Sequence, residues 1–138
     1  MIEYRVNAPV TSEQFIGLLK RSTLAERRPV DDLECMAGAL ANSNLVVSAW
    51  HGEVLVGLAR SMTDFHYACY LSDLAVSQDY QQQGIGKQLQ VHTQNALGPR
   101  CNLILIAAPA ADEYYGPLGF VRHPRCWVLE PHTRLDAQ

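Results

Sequence analysis

The feature that most constrains the fold is a strand, a glycine-bearing loop, a helix and a second strand in direct succession. Tyr67 to Val76 has the composition of a strand, and residues 81–87 (Gln-Gln-Gln-Gly-Ile-Gly-Lys) open a helix that runs to about Leu97. Gly98-Pro99 is a helix stop signal. Leu103 to Ile106 is short and wholly apolar, as in a buried parallel strand. This order predicts a βαβ unit.

The residues before this unit predict an antiparallel meander. Leu45 to Trp50 and Val54 to Met62 are strands joined by the tight turn His51-Gly52-Glu53, and Tyr67 to Val76 is the third strand. Ile2 to Val6 alternates in the same way and predicts a first strand. A βαβ unit added to a meander gives an α+β fold with a mixed, mostly antiparallel central sheet.

The remaining segments predict helices and late strands. Two helices precede the meander: one is capped by Thr11 or Ser12 and runs to about Arg21, and the other is capped by Asp31 or Asp32 and runs to about Ala41. A short helix from Ala110 to Tyr115 and two final strands, around Phe120 and from Arg125 to Leu129, complete the chain. The prediction is about six to seven strands and about four helices in one domain, residues 1–138.

Composition excludes several classes of partner. The net charge of −3 supplies no basic field for nucleic acid, and no apolar run reaches the roughly 18 residues of a membrane span. The first residues lack the layout of a signal peptide, so we expect a cytoplasmic protein. The four cysteines form no CxxC pair and the five histidines show no zinc spacing, which predicts reduced thiols and no metal site.

The glycine loop predicts a phosphate site, because the first N–H groups of a helix lack partners and the helix dipole attracts anions. The dinucleotide fingerprint requires a third glycine where this chain has Leu89. A P-loop requires a glycine and a Ser/Thr where this chain has Gln81 and Gln88. Both common nucleotide motifs therefore fail, and the loop alone leaves open a purely structural strand-to-helix connection.

Two motifs in order and at suitable spacing resolve that ambiguity. Gln81, Gly84 and Gly86 fit the pattern Gln/Arg-x-x-Gly-x-Gly/Ala. Residues 111–120 fit Ala-x-x-x-Tyr-x-x-x-Gly-Phe, with Tyr115 as the tyrosine. Together they resemble motifs A and B of the GCN5-related N-acetyltransferase (GNAT) superfamily, and the resemblance covers roughly Leu45 to Val121.

The resemblance implies acetyl-CoA as co-substrate and a single acetyltransferase domain with a GNAT-like sheet. In such a protein the loop amides bind the pyrophosphate, and a splayed third strand pairs with the pantetheine arm. Lys87 adds positive charge or is simply solvated. The implied cofactor-binding residues are Leu74, Ala75, Val76, Gln81, Gln82, Gln83, Gly84, Ile85, Gly86, Lys87 and Tyr115.

The implied catalytic residues are Tyr115, Ser72 and Asp73. The tyrosine hydroxyl would protonate the departing CoA thiolate, with Tyr114 as the fallback; alternatively the ring only packs in the core. Many relatives carry Glu or His where this chain has Ser72 or Tyr70, so a direct strong base is in doubt and a water chain would relay the proton. Asp73 is the alternative base, or else a structural carboxylate.

These features predict an N-acetyltransferase acting on a primary amine of a small molecule, peptide or protein. The missing strand base, and Ala108 where many relatives have an asparagine, motivate an alternative: an acyl-CoA-binding sensor or interaction module without turnover. Three regions are candidates for the acceptor site: the basic turn Arg27-Arg28-Pro29, which we expect to be exposed, the hairpin end with Asp64, Phe65 and His66, and the last strands with Arg122, His123, Arg125 and Trp127. A homodimer is also possible.

Overall fold

The computed structural model describes residues 1–136, which form two compact units divided after Ile106. The first unit contains one mixed sheet and three α-helices. Among residues 1–136, no helix has the length and hydropathy that crossing a membrane requires.

The elements of the first unit are β1 (Ile2–Val6), α1 (Ser12–Ser22), α2 (Leu33–Ala41), β2 (Leu45–His51), β3 (Val54–Thr63), β4 (Ala68–Val76), α3 (Ile85–Asn95) and β5 (Asn102–Ile104). The sheet order is β1-β2-β3-β4-β5. The first three pairings are antiparallel, and β4 pairs with β5 in parallel. The predicted meander and the βαβ unit are therefore confirmed.

The helices begin where the sequence carries capping residues. Thr11 accepts a hydrogen bond from the backbone N–H of Gln14, whose side chain accepts one in return from the N–H of Thr11. Asp32 caps α2 in the same way through the N–H of Cys35. Each cap satisfies N–H groups that have no partner within the helix.

The sheet carries a separate apolar core on each face. The α1 and α2 face buries Phe15, Leu18 and Leu19 of α1, as the helical spacing predicted. The opposite face buries Ile85 and Leu89 of α3. Because α3 is packed from its first residue onward, the loop that precedes it is held close to the end of β4.

Several predicted elements differ from the structure. The sheet has five strands and the chain three α-helices among residues 1–136, so the prediction of six to seven strands and four helices was too high. A 3₁₀ turn, Pro109–Ala111, lies where the late helix was predicted, and no strand forms near Phe120 or over residues 125–129. Those strands depended on pairing partners, which local sequence does not specify.

β5 also differs from its prediction as a buried strand. It is the edge strand of the sheet, and Ile104 and Ile106 are 47% and 54% exposed. A continuous apolar run indicates a strand but does not show how many neighbours it has.

Candidate active site

β4 has two halves that differ in their pairing. Cys69 and Tyr70 pair with the end of β3 on one side and with β5 on the other, and Ala68 pairs with β5. From Leu71 to Val76 the strand continues along β3, but β5 no longer accompanies it. No other strand within residues 1–136 pairs with this stretch, which we call the open edge of β4.

The pairing with β3 fixes which backbone groups face the open edge. The N–H of Ser77 donates to the carbonyl of Val56 (2.8 Å). Hydrogen-bonded residues alternate along an antiparallel pair, so Ala75 bonds to β3 while Leu74 and Val76 direct their backbone groups the other way. The open edge thus carries hydrogen-bonding groups that an amide-bearing ligand could pair with.

A short loop connects the open edge to α3. It contains a 3₁₀ turn, Gln78–Tyr80, and two residues with left-handed backbone, Gln82 (φ +62°) and Gly84 (φ +82°). Gly84 is the N-cap of α3, and no side chain caps the helix there. Residues 81–84 are exposed, and a Cβ built on Gly84 would meet only open space. The helix N-terminus is therefore accessible and suited to an anion.

Two side-chain contacts hold this loop. The Gln81 amide donates to the carbonyl of Val76 (3.0 Å), and the hydroxyl of Tyr80 bonds to Nδ1 of His51 (2.7 Å). Ile85 is buried against the sheet, so within the predicted set it anchors α3 through its side chain. Lys87 is exposed and forms no ion pair within the described residues. Gln82, Gln83 and Gly86 lie on the same loop and first helical turn.

A bulge at Ser72 changes the faces of β4. Arg60 is opposite Asp73 and Ser61 is opposite Leu71, which leaves Ser72 without a partner on β3. Simple alternation of side chains along a strand would place Asp73 on the same face as Cys69 and Leu71. Instead, Leu71 lies in the core on the α3 side while Ala75 lies in the core under α1 and α2. The extra residue reverses the alternation, which is the known effect of a bulge.

Asp73 lies in a buried ion network that sequence reasoning missed. Its side chain is 0% exposed, and its two oxygens each accept from one guanidinium, Arg28 Nε at 2.5 Å and Arg60 Nε at 2.5 Å. Arg60 also donates to Ser72 Oγ (2.8 Å). With both oxygens engaged by cations, Asp73 has the surroundings of a structural carboxylate; a catalytic role for it stays a prediction.

The network also shows that Arg28 is not the exposed residue of a basic turn. Its side chain is 24% exposed, and its Nη2 donates to the carbonyl of Ser72 (2.8 Å). No local pattern signals this contact, because 44 residues separate the two groups.

Tyr115 belongs to the second unit, described here by itself. Its ring packs edge-on against Tyr114 (5.0 Å between centroids) and Phe120 (5.3 Å). Its carbonyl accepts from the N–H groups of Leu118 and Phe120, and Gly119 closes the turn with φ +106°. Burial, with a smaller effect from Tyr114, raises the pKa of the Tyr115 hydroxyl above its ordinary value. The phenol therefore stays protonated at neutral pH and can act as a donor.

Comparison with known proteins identifies the family. The family model described as acetyltransferase (GNAT) domain matches residues 9–126, which is most of the chain. The chain belongs to the GNAT acetyltransferase family.

Relatives of this GNAT protein agree in fold. An uncharacterized N-acetyltransferase, ycf52, of Gracilaria tenuistipitata var. liui is 29% identical over 130 residues, covering 86% of this chain and 70% of the relative. A probable acetyltransferase from Staphylococcus aureus, SA2161, has TM-score 0.75 at 23% identity, covering 94% and 98% of the two chains. Aminoglycoside N-acetyltransferase AAC(6')-Iy, solved with CoA, has TM-score 0.72 at 19% identity and 96% coverage of both. The same enzyme has been solved with the bisubstrate analog CoA-S-monomethyl-acetylneamine.

Proposed function

We propose that this GNAT protein transfers the acetyl group of acetyl-CoA to a primary amine of a small molecule, peptide or protein. The observation that carries the proposal is the continuity between the open edge of β4 and the uncapped N-terminus of α3. One surface pairs with amides and the next binds an anion, which are the two chemistries that the pantetheine arm and the pyrophosphate require.

The loop amides of residues 82–87 bind the pyrophosphate. Gly84 adopts a left-handed backbone that few other residues tolerate, and its lack of a Cβ lets the phosphates approach the backbone. The N–H groups of Leu74 and Val76 and the carbonyl of Leu74 face the amide-bearing arm, and Ala75 keeps this segment bonded to β3. The Gln81 side-chain amide stabilises the loop by donating to the carbonyl of Val76.

Acetyl transfer then requires three further steps from the chain. The N–H of Leu74 or Val76 stabilises the oxyanion of the tetrahedral intermediate. Tyr115 donates its proton to the leaving thiolate, an assignment that rests on its position in motif B; its raised pKa keeps the hydroxyl protonated before the transfer. The amine loses its proton to water held by Ser72 or Tyr70. Because Ser72 Oγ accepts from Arg60, its own hydrogen remains available for that water.

The class of acceptor is proposed from a protein of the same fold. The bisubstrate analog bound to AAC(6')-Iy joins CoA to an acetylneamine, and a chain of the same fold supports an amine acceptor here. The choice between small molecule and polypeptide, a cytoplasmic location, a homodimer and the lack of a metal stay predictions.

The second candidate function is an acyl-CoA-binding module without turnover. The engagement of both Asp73 oxygens by arginines favours it, because the strand then carries no free carboxylate base. Such a module would bind CoA at the same site as the transferase but would not transfer the acetyl group.

A thiol-release assay with a broad panel of amines, combined with calorimetric titration of CoA, tests both functions. The transferase predicts CoA binding and amine-dependent thiol release above the rate of hydrolysis. Binding without release for any amine would support the module, and a lack of CoA binding would contradict both.

A further inference from the structure

We propose that Arg28 is a positioning residue that fastens the segment between α1 and α2 to β4 beside the site of acetyl transfer. This role rests on the proposed function, because it concerns the approach of the amine. Arg28 lies outside the glycine loop and outside the motif B turn, and the sequence marked it only as part of an exposed basic turn in a candidate acceptor region.

The Arg28 guanidinium binds three acceptors on two parts of the chain. Nε donates to Asp73 Oδ1 (2.5 Å) and Nη2 donates to the carbonyl of Ser72 (2.8 Å). Nη1 donates to the carbonyl of Arg27 (2.9 Å), within its own segment. The planar fork of arginine suits such a set, and a lysine ammonium cannot reach all three acceptors in the same geometry.

The segment packs on the α1 and α2 core through Leu24, Ala25 and Val30, which are only partly buried. It begins at Thr23, which has left-handed backbone (φ +74°), continues as a 3₁₀ turn over Leu24–Arg27, and none of those four residues is buried. Short 3₁₀ turns have poorer hydrogen-bond geometry than α-helices. The side chain of Arg28 therefore supplies a polar anchor to the sheet that this turn would otherwise lack.

The anchor on β4 is itself rigid. The second oxygen of Asp73 binds Arg60, whose Nη1 donates to Ser43 Oγ (3.0 Å) and to the carbonyl of Ala39 (3.3 Å). Asp73 thus links β3, β4, the end of α2 and the Arg28 segment. A fully buried carboxylate shared by two guanidiniums keeps a narrow geometry, because moving either cation away leaves charge unpaired in the interior.

The proposed donor runs along β4 in a direction that brings its thioester end close to the contact between Arg28 and β4. In the proposed function the pyrophosphate lies at the loop after Val76, and the pantetheine arm runs back past Val76 towards Leu74. Ser72 comes next along the strand, and Arg28 already occupies its carbonyl. The segment that Arg28 holds therefore lies beside the thioester end of the proposed donor, where the amine approaches.

The test compares Arg28→Ala, Arg28→Lys and a matched control, Arg100→Ala. Arg100 is exposed in the turn before β5, with no ion pair within the described residues, so this control removes the same charge from the same unit. For each protein we would measure kcat and KM for a reactive amine, the Kd of CoA, and hydrogen exchange over residues 24–32.

The expected result is a fall of about tenfold in kcat/KM for the amine in Arg28→Ala, with the Kd of CoA within twofold of the control. Exchange over residues 24–32 rises, Arg28→Lys lies in between, and millimolar guanidinium ion restores part of the activity of Arg28→Ala. If Arg28→Ala does not fold, Arg28→Lys is compared with the Arg100→Ala control in its place.

Three results would overturn the proposal. An unchanged kcat/KM in Arg28→Ala, with turnover intact, would remove the positioning role and leave the proposed function standing. An equal loss of CoA affinity would indicate general structural damage instead. Absence of turnover in the unmodified protein with every amine would overturn the proposed function, and this role with it.

Discussion

The two units of this GNAT protein are stabilised in different ways. In residues 1–106 two apolar cores sandwich the sheet, and a carboxylate with no exposure joins two arginines. In residues 107–136 no side chain is fully buried, and the ion pair between Arg122 and Asp112 is exposed. The glycine loop and the open edge of β4 belong to the first unit, while Tyr115 belongs to the second.

We therefore expect mutations to separate the proposed donor binding by the first unit from the proposed proton donation by Tyr115. Substitutions in the first unit should change stability or CoA affinity, because the loop depends on the packing of α3 against the sheet. Substitutions at Tyr115 should change turnover with little effect on either quantity.

We expect the largest difference in stability between variants of the buried Asp73 network and of the exposed Asp112 ion pair. Asp73→Asn removes the negative charge between Arg28 and Arg60 and should lower the free energy of unfolding by about 3 kcal/mol. The matched change in the second unit, Asp112→Asn, breaks an exposed pair and should leave stability unchanged within error. Urea unfolding monitored by circular dichroism measures both; equal effects would contradict the comparison.

The next effect concerns Tyr115. Tyr115→Phe removes the proposed proton donor and keeps the ring that packs on Phe120, so kcat should fall about 100-fold while the Kd of CoA and the melting temperature stay the same. Steady-state kinetics and calorimetry check this. Tyr114→Phe is the comparison variant. A larger loss of kcat in Tyr114→Phe than in Tyr115→Phe would assign the proton donor to Tyr114 instead.

A third prediction compares the CoA affinity of variants at two glycines with left-handed backbone. Gly84→Val and Gly52→Val (φ +61° in the β2–β3 turn) each add strain of about 2 kcal/mol, and a Cβ meets no neighbour at either position. Only Gly84 borders the proposed pyrophosphate site, so its variant should lose about thirtyfold in CoA affinity and the Gly52 variant should lose none. Similar losses in both would show that the glycine loop is not the site.

The smallest effect is a pH dependence. Burial raises the pKa of the Tyr115 hydroxyl above its ordinary value, so the hydroxyl keeps its proton at neutral and moderately alkaline pH and loses it only in more alkaline solution. With saturating substrates, kcat should therefore stay level to about pH 10 and fall at higher pH, and Tyr115→Phe should lack this fall. A decline that begins near pH 8 would indicate a different acid.

Local patterns predicted much of the first unit. Helical spacing placed Phe15, Leu18 and Leu19 in the core, and Thr11 and Asp32 mark helix starts through contacts within three residues. The glycine loop was found because phosphate binding at a helix N-terminus depends on residues that are adjacent in sequence.

The errors arose where structure depends on distant pairing. The bulge at Ser72 is set by the register between β3 and β4, and it reverses the side-chain alternation that a sequence pattern assumes. Arg28 reaches Asp73 across 45 residues, a contact that no local pattern encodes. The strands predicted after Gly119 failed for a related reason, since an apolar run becomes a strand only when it finds a partner.

Hydrogen exchange resolved to single amides, with and without CoA, tests most directly whether the open edge of β4 and the glycine loop bind the donor. We predict that CoA slows exchange at Leu74, at Val76 and over residues 82–87. Exchange at Cys69 and Tyr70, which pair with β5, should not change. Slowing confined to other parts of the chain, or no slowing at saturating CoA, would contradict the assignment of the open edge and the glycine loop as the donor site.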